Sequence, residues 1–227
     1  MIRRIAGIVS RPRATMSELV AQPAWLATWL VVLTGWAICG GWLLSTTVGQ
    51  QALIDETVRV SESFGRTITD AEYAALLAQP PWWTYFTSGG RLLLTPFVTL
   101  LAAMVVWVVG RKDGIGASWP QALSIVVHAN VVLLLGQVVA TPLHYVRESL
   151  TSPLNLAAVL PGMNEGTVPA RFFGSLDFFV MWWCGLLAIG LAVLTRRRPT
   201  RYAVVLGLFY AGFAAVIAAT VAVMGGS

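Results

Sequence analysis

Charged residues divide this sequence into long apolar runs, and that division constrains the fold more than any other feature. The clearest run lies between Arg171 and Arg196, where about 24 residues contain a single acid, Asp177. At about 1.5 Å per residue, a helix of that length spans the roughly 30 Å hydrocarbon core of a bilayer. A helix satisfies its own backbone hydrogen bonds in lipid, so the run is predicted to be a transmembrane helix.

The composition supports a membrane protein rather than a soluble one. The chain is 57% hydrophobic and 11% charged, with a mean hydropathy of +0.74, whereas soluble domains are roughly 25% charged. The net charge of +5 comes from arginines that flank apolar runs. That placement is typical of membrane topology signals and argues against a nucleic-acid partner.

The pattern predicts an all-α membrane protein, a bundle of five transmembrane helices with short interfacial or loop helices. Residues 1–23 form a basic arm with an amphipathic segment, in which Met16, Leu19 and Val20 can share one face. Residues 24–227 form the membrane domain. The predicted spans and the two long external loops are: spans about 24–47, 91–110, 119–140, 172–195 and 202–224; loops 48–90 and 141–171.

The basic connections predict the orientation. The arm is basic, and so are two short connections, which contain Arg111, Lys112, Arg196, Arg197, Arg198 and Arg201. Positive residues concentrate on the cytoplasmic side, so the N-terminus is predicted inside and the C-terminus outside. The same side chains are candidates for contact with anionic lipid headgroups. The richness in arginine and alanine favours a bacterial cytoplasmic membrane as the location.

Three local signals refine the helices. Thr69 and Glu72 fit a capping box at the start of a short helix in the first loop. Pro96 is predicted to kink the second span. Small residues at every fourth position predict a tightly packed face on the last span: Ala211, Ala215 and Ala219.

The third span carries polar residues on two sides. At 100° per residue, one side holds Gln121, Ser124 and His128, and roughly the opposite side holds Asn130, Gln137 and Thr141. A helix in contact with lipid would not expose polar groups in two directions. The third span is therefore predicted to be the most enclosed.

Asp177 is the first candidate for a functional residue. It lies six residues after Arg171, roughly 9 Å along a helix. An acid at that depth is costly unless it pairs with another group or reaches water. We expect an intramembrane polar cluster of Asp177, Arg91, Asn130, Gln137 and His128. Two interpretations stay open: pairing that holds helices together, and a role in proton or ion movement.

Motifs for catalysis or metal binding are missing from the sequence. The only histidines, His128 and His144, would be about 24 Å apart on one helix, too far to share a metal. Cys39 and Cys184 lie inside apolar runs, where they are expected to pack as small apolar residues. We therefore predict no catalytic residue, no cofactor and no metal site.

Part of the fourth run resembles a known family. The sequence FGSLDFF from Phe173, the pair Trp182-Trp183 and the sequence AIGL from Ala188 are similar to the last-but-one span of Yip1-domain membrane proteins. The order of parts is similar too, with an arm and a proline before five spans. The resemblance implies an integral membrane protein without enzymatic activity.

Eukaryotic Yip1-domain relatives act in vesicle traffic and contact small GTPases of the Rab type through their cytoplasmic side. This chain departs from them in its short arm, which argues against a GTPase partner, and it looks more like the bacterial branch. The expected function is a scaffold or adaptor whose partners are lipid, other membrane proteins or copies of itself. The alternative is a small channel or transporter that uses the polar residues around Asp177.

Overall fold

The chain folds almost entirely into α-helices. A computed structural model describes residues 2–113, 116–160 and 167–224, except for the side chains at 81, 83, 84, 87, 88, 90–93 and 113. Within that part, the only β pairing is an isolated bridge between Asn155 and Asp177. The helices are α1 Ile2–Ser10, α2 Pro12–Ala21, α3 Leu26–Leu44, α4 Thr47–Ser63, α5 Asp70–Leu77, α6 Pro81–Asp113, α7 Trp119–Arg147, α8 Val168–Gly174, α9 Phe178–Thr195 and α10 Pro199–Met224, with a 3-10 helix at Leu156–Val159.

Five of these helices are long and apolar enough to cross a membrane, as predicted: α3, α6, α7, α9 and α10. Three bounds differ by more than one helical turn from the sequence prediction. The second helix begins at Pro81 rather than near residue 91. The third helix continues through Pro142 to Arg147 rather than ending near residue 140. The fourth begins only at Phe178, because the backbone leaves the helix after Gly174.

The long connections contain more helix than the sequence suggested. The capping box of Thr69 and Glu72 is confirmed, and both of its hydrogen bonds are present at the start of α5. Helix α4 was not predicted; it begins where Thr46 Oγ1 accepts from the Gly49 N–H at 3.0 Å. The aromatic residues after Pro81 lie on the first turns of α6. The helix remains α-helical through Pro96, and the kink there stays a prediction.

The chain divides into two compact units, which we name after their contents. The arm unit consists of Met1–Ala37, Arg91–Gly136 and Phe179–Phe209, and the loop unit of Ile38–Gly90, Gln137–Phe178 and Tyr210–Ser227. The main hydrophobic core belongs to the arm unit and includes Ile8, Met16 and Leu19, which are fully buried. The predicted shared face of the arm is therefore inside the protein core.

Helix α7 is the most enclosed of the spans, as its two-sided polarity predicted. In its apolar stretch of 18 residues, 67% of the residues are buried, against 39% in α9 and 11% in α10. On α10 the alanines buried within the described protein are Ala214 and Ala218, whereas Ala215 and Ala219 of the predicted small face are exposed, and packing of that face stays a prediction. Because α10 is apolar on every side, its sequence has no alternation of apolar and polar residues that would identify the buried side.

Candidate functional site

Asp177 lies directly before the first residue of α9, not inside a continuous helix. Its Oδ2 accepts a hydrogen bond from Ser152 Oγ at 2.8 Å. Its backbone N–H donates to Tyr210 Oη at 2.8 Å, and the Tyr210 hydroxyl donates to the Ser175 carbonyl at 2.9 Å. Asp177 therefore joins the loop after α7, the start of α9 and helix α10.

The surrounding backbone explains why the helix is interrupted there. The Leu156 N–H donates to the Leu176 carbonyl, and the Phe178 N–H donates to the Leu154 carbonyl. These two bonds enclose the bridge between Asn155 and Asp177. The backbone groups at the α8–α9 junction thus form hydrogen bonds with a neighbouring loop instead of continuing a helix. This pairing depends on tertiary contacts and cannot be predicted from the apolar sequence.

Asn130 occupies a buried position on α7 and is fully engaged with two neighbouring helices. Its Nδ2 donates to Thr99 Oγ1 on α6 at 2.9 Å, and its Oδ1 accepts from the Trp183 indole N–H on α9 at 2.8 Å. Asn130 and Thr99 are 5% and 2% exposed. A buried amide whose two ends are both paired stabilises the packing of the helices that it joins.

His128 is buried one turn after Ser124 on the same helix. Its Nδ1 lies 2.9 Å from the Ser124 carbonyl oxygen, which can only accept, so Nδ1 carries the proton. In the neutral ring Nε2 then accepts from Thr28 Oγ1 of α3, at 3.1 Å. Beside this pair is a cavity of about 400 Å³ whose lining includes Arg4 and Trp25. The sequence did not suggest that Thr28 and Arg4 would lie near His128.

The two remaining members of the predicted cluster are Gln137 and Arg91. Gln137 donates to Thr141 Oγ1 one turn along α7, at 3.2 Å. The side chain of Arg91 lies outside the described residues. Asp177 and Gln137 belong to the loop unit, and Asn130 and His128 to the arm unit. The described contacts form hydrogen-bonded groups within each unit, and a cluster that joins Asp177 to Arg91 stays a prediction.

The two basic connections both lie in the arm unit. Arg111 and Lys112 are exposed at the end of α6, and the Arg111 guanidinium lies 5.1 Å from the centre of the Trp107 ring. The other four arginines surround the turn between α9 and α10, and Arg13 from the arm joins them. Within the described residues, no three His, Cys, Asp or Glu side chains are grouped as metal ligands.

The five apolar helices, with polar side chains that bind one another between helices, define a polytopic integral membrane protein. The family model of the Yip1 domain matches residues 6–222, nearly the whole chain. The chain therefore belongs to the Yip1 domain family, as its fourth apolar run suggested. Neither the curated proteins nor the solved structures contain a match to it.

Proposed function

We propose that this Yip1-domain protein is a non-enzymatic scaffold or adaptor that organises a membrane through helix–helix and lipid contacts. The supporting observation is that its polar side chains within the helices form hydrogen bonds inside the protein. Asp177, Asn130, His128 and Gln137 each hydrogen bond within their own unit. They act as connections inside the protein, so the outer helix faces are what the molecule offers to partners.

Helix α10 provides the largest such face. Only 11% of the residues in its apolar stretch are buried, and the side chains of Phe209 and Phe213 are 75% and 56% exposed. In lipid, close helix association depends on van der Waals packing and small residues. Gly207 and Gly212 on α10 have open space where a side chain would project. A neighbouring membrane protein or a second copy can approach closely at these positions.

Photocrosslinking in native membranes tests this proposal. A photoreactive amino acid replaces Phe209 on α10, and a matched variant carries it at Phe97 on α6, which is 63% exposed. Discrete protein adducts from either position are expected, and mass spectrometry then identifies the partner. Lipid adducts alone from both positions would contradict a scaffold function.

The proposed location is the cytoplasmic membrane of a bacterium, with the arginine-rich connections inside. A single cysteine at Ser118 or Thr67, both exposed, tests the orientation after Cys39 and Cys184 are replaced. We expect an impermeant maleimide to label Thr67→Cys in intact cells and Ser118→Cys only after permeabilisation. The reverse result would invert the topology.

The channel or transporter alternative has a direct test of its own. Reconstituted wild-type protein is assayed for ion and proton flux in liposomes beside the Asp177→Asn variant. We expect no flux above protein-free liposomes from either. Flux from the wild type that Asp177→Asn abolishes, with unchanged folding, would replace the scaffold proposal.

A further inference from the structure

An arginine-lined cavity lies at the turn between α9 and α10, within the arm unit. Its volume is about 630 Å³, inside the range of small-ligand sites. Its lining consists of one proline and five arginines: Pro199, Arg13, Arg196, Arg197, Arg198 and Arg201. No acidic residue of the described chain lines it. We call this feature the arginine cavity.

The turn that presents three of these arginines has a defined backbone. Helix α9 ends at Thr195, and the Arg197 N–H returns to the Ala192 carbonyl at 3.1 Å, which closes a Schellman-type end. Arg196 occupies the left-handed position of this motif, with φ of 56°. Glycine is preferred there because other residues are strained. An arginine retained at a strained position is the kind of outlier that points to a functional site.

Buried hydrogen bonds fix the same turn from below. The Tyr202 hydroxyl donates to Thr195 Oγ1 at 2.9 Å, and the Thr195 hydroxyl donates to the Leu191 carbonyl at 2.7 Å. Tyr202 and Thr195 are each 5% exposed. The Arg201 guanidinium lies 5.9 Å from the centre of the Tyr202 ring. The end of α9 and the start of α10 are thus held together, and Arg201 is held beside them.

Arg13 comes from the distant N-terminal arm, and its position is also fixed. It lies one turn before Met16 on α2, and Met16 and Leu19 are fully buried in the core of the arm unit. Met16 Sδ is next to Gly190 of α9, where an added side-chain carbon would be 3.4 Å from it. Packing of α2 on α9 therefore places Arg13 at the cavity.

Four of the five cavity arginines, Arg13, Arg196, Arg197 and Arg198, have no ion-pair partner among the described residues. The ion pairs of the arm unit join Glu18 to Arg3 at 3.1 Å and to Arg4 at 3.9 Å. Converging like charges repel one another, and a bound anion would relieve that repulsion.

We propose that the arginine cavity is a binding site for a ligand with two phosphate groups, and that its occupant is the headgroup of a diphosphate phospholipid. Guanidinium groups bind phosphate oxygens in pairs, and several around one cavity match more than one phosphate. Two apolar helices meet at the turn, and basic pockets at helix ends are where such headgroups bind. The inference rests on the proposed function only in placing this turn at a membrane surface.

Lipid retention on the purified full-length protein tests the site. Native mass spectrometry counts bound cardiolipin, which has two phosphates, in competition with phosphatidylglycerol, which has one. The wild type should prefer cardiolipin. The double variant Arg13→Ala/Arg196→Gly should weaken cardiolipin binding about twenty-five-fold, at about fivefold for each arginine near the surface. Because Arg196→Gly relieves the strained backbone, this variant should not fail through misfolding at the turn.

A matched control separates a built site from general surface charge. Arg111→Ala/Lys112→Ala removes two charges from the other basic connection, so it should weaken the binding of cardiolipin and phosphatidylglycerol alike and leave the preference for cardiolipin unchanged. Replacing Arg196, Arg197 and Arg198 by lysine preserves charge but removes paired hydrogen bonding, and should weaken binding at least about fivefold.

Inorganic pyrophosphate separates the two sources of this chemistry. Cardiolipin that binds the wild type more tightly than pyrophosphate, with both losing affinity in the double variant, supports the lipid headgroup. Pyrophosphate that binds more tightly than cardiolipin at the same arginines would identify a soluble diphosphate and overturn the lipid occupant. Equal losses in the cavity and control variants, or no preference of the wild type for cardiolipin, would overturn the proposal. Crosslinking from Phe209 on α10 reports on the scaffold separately, so the two failures are distinguishable.

Discussion

The arm unit and the loop unit hold their polar groups in different ways. In the arm unit, Asn130 and His128 are 5% and 1% exposed and bind side chains from neighbouring long helices. In the loop unit, the half-buried Asp177 binds a loop serine through its carboxylate and Tyr210 through its backbone. The comparison shows that these polar groups join long helices inside the core of one unit, whereas in the other the polar group joins a connection to a helix. Substitutions of these polar groups should therefore cost more in the arm unit.

Among the changes described below, the largest loss is expected from Gly190→Ala in the arm unit. A methyl group at Gly190 would overlap the Ile125 Cγ2 methyl, and overpacking of this kind costs about 1–3 kcal/mol. Thermal unfolding in detergent should show a lower midpoint. The matched controls are Gly207→Ala in the arm unit and Gly41→Ala in the loop unit, where nothing lies within 4 Å. A wild-type midpoint for Gly190→Ala would show that this packing is not tight.

The second loss is expected from Asn130→Ala. It removes hydrogen bonds to Thr99 and Trp183, which in a membrane protein average about 0.6 kcal/mol each and reach about 1.7. Unfolding in detergent should show a destabilisation of about 1–3 kcal/mol. A double-mutant cycle with Thr99→Val isolates the bond between the two side chains. Zero coupling would contradict the hydrogen bond as a source of stability.

A smaller effect is expected at Asp177 in the loop unit. Asp177→Ala removes the acceptor of the Ser152 hydroxyl and should cost about 1 kcal/mol, whereas Asp177→Asn keeps an acceptor and should cost less. Ser152→Ala removes the donor of the same hydrogen bond and should also lower the midpoint of thermal unfolding. If Asp177→Asn destabilised the protein as much as Asp177→Ala, the negative charge itself would be required.

The smallest effect concerns the exposed capping box of α5. The Thr69 backbone N–H, followed by Arg66, lowers the pKa of Glu72 below its usual value of 4.5. A lowered pKa contributes stability that is present above about 4.5 and is lost as the pH falls through the folded-state value. Hydrogen exchange should show α5 opening more readily in acid, and Glu72→Gln should remove this dependence. A persistent dependence in Glu72→Gln would assign it to another group.

The sequence predicted features that depend on length and local chemistry. The five apolar helices and the capping box of Thr69 and Glu72 were confirmed, and α7 was recognised as enclosed. The α8–α9 break at Asp177 and the helix α4 were not predicted. The break depends on hydrogen bonds with a loop some twenty residues earlier in the chain, and α4 has no strong apolar period to indicate it.

The candidate sites show the same division. The sequence identified Asp177 and Asn130 as costly polar residues, but it did not indicate that Ser152 would bind Asp177 or that Trp183 would bind Asn130. It also identified the arginines after Thr195 as a basic connection. Nothing in the sequence indicated that Arg13 would share a cavity with them.

By itself, the sequence determined the class of the protein and its family, because a bilayer requires apolar helices of a fixed length with charges at their ends. Only the tertiary structure decided which side chains meet. Helices that are apolar on every side can pack in many registers, and specific contacts, such as Met16 against Gly190, select one of them. Because this packing brings Arg13 beside the arginines that follow Thr195, the basic residues together line a cavity.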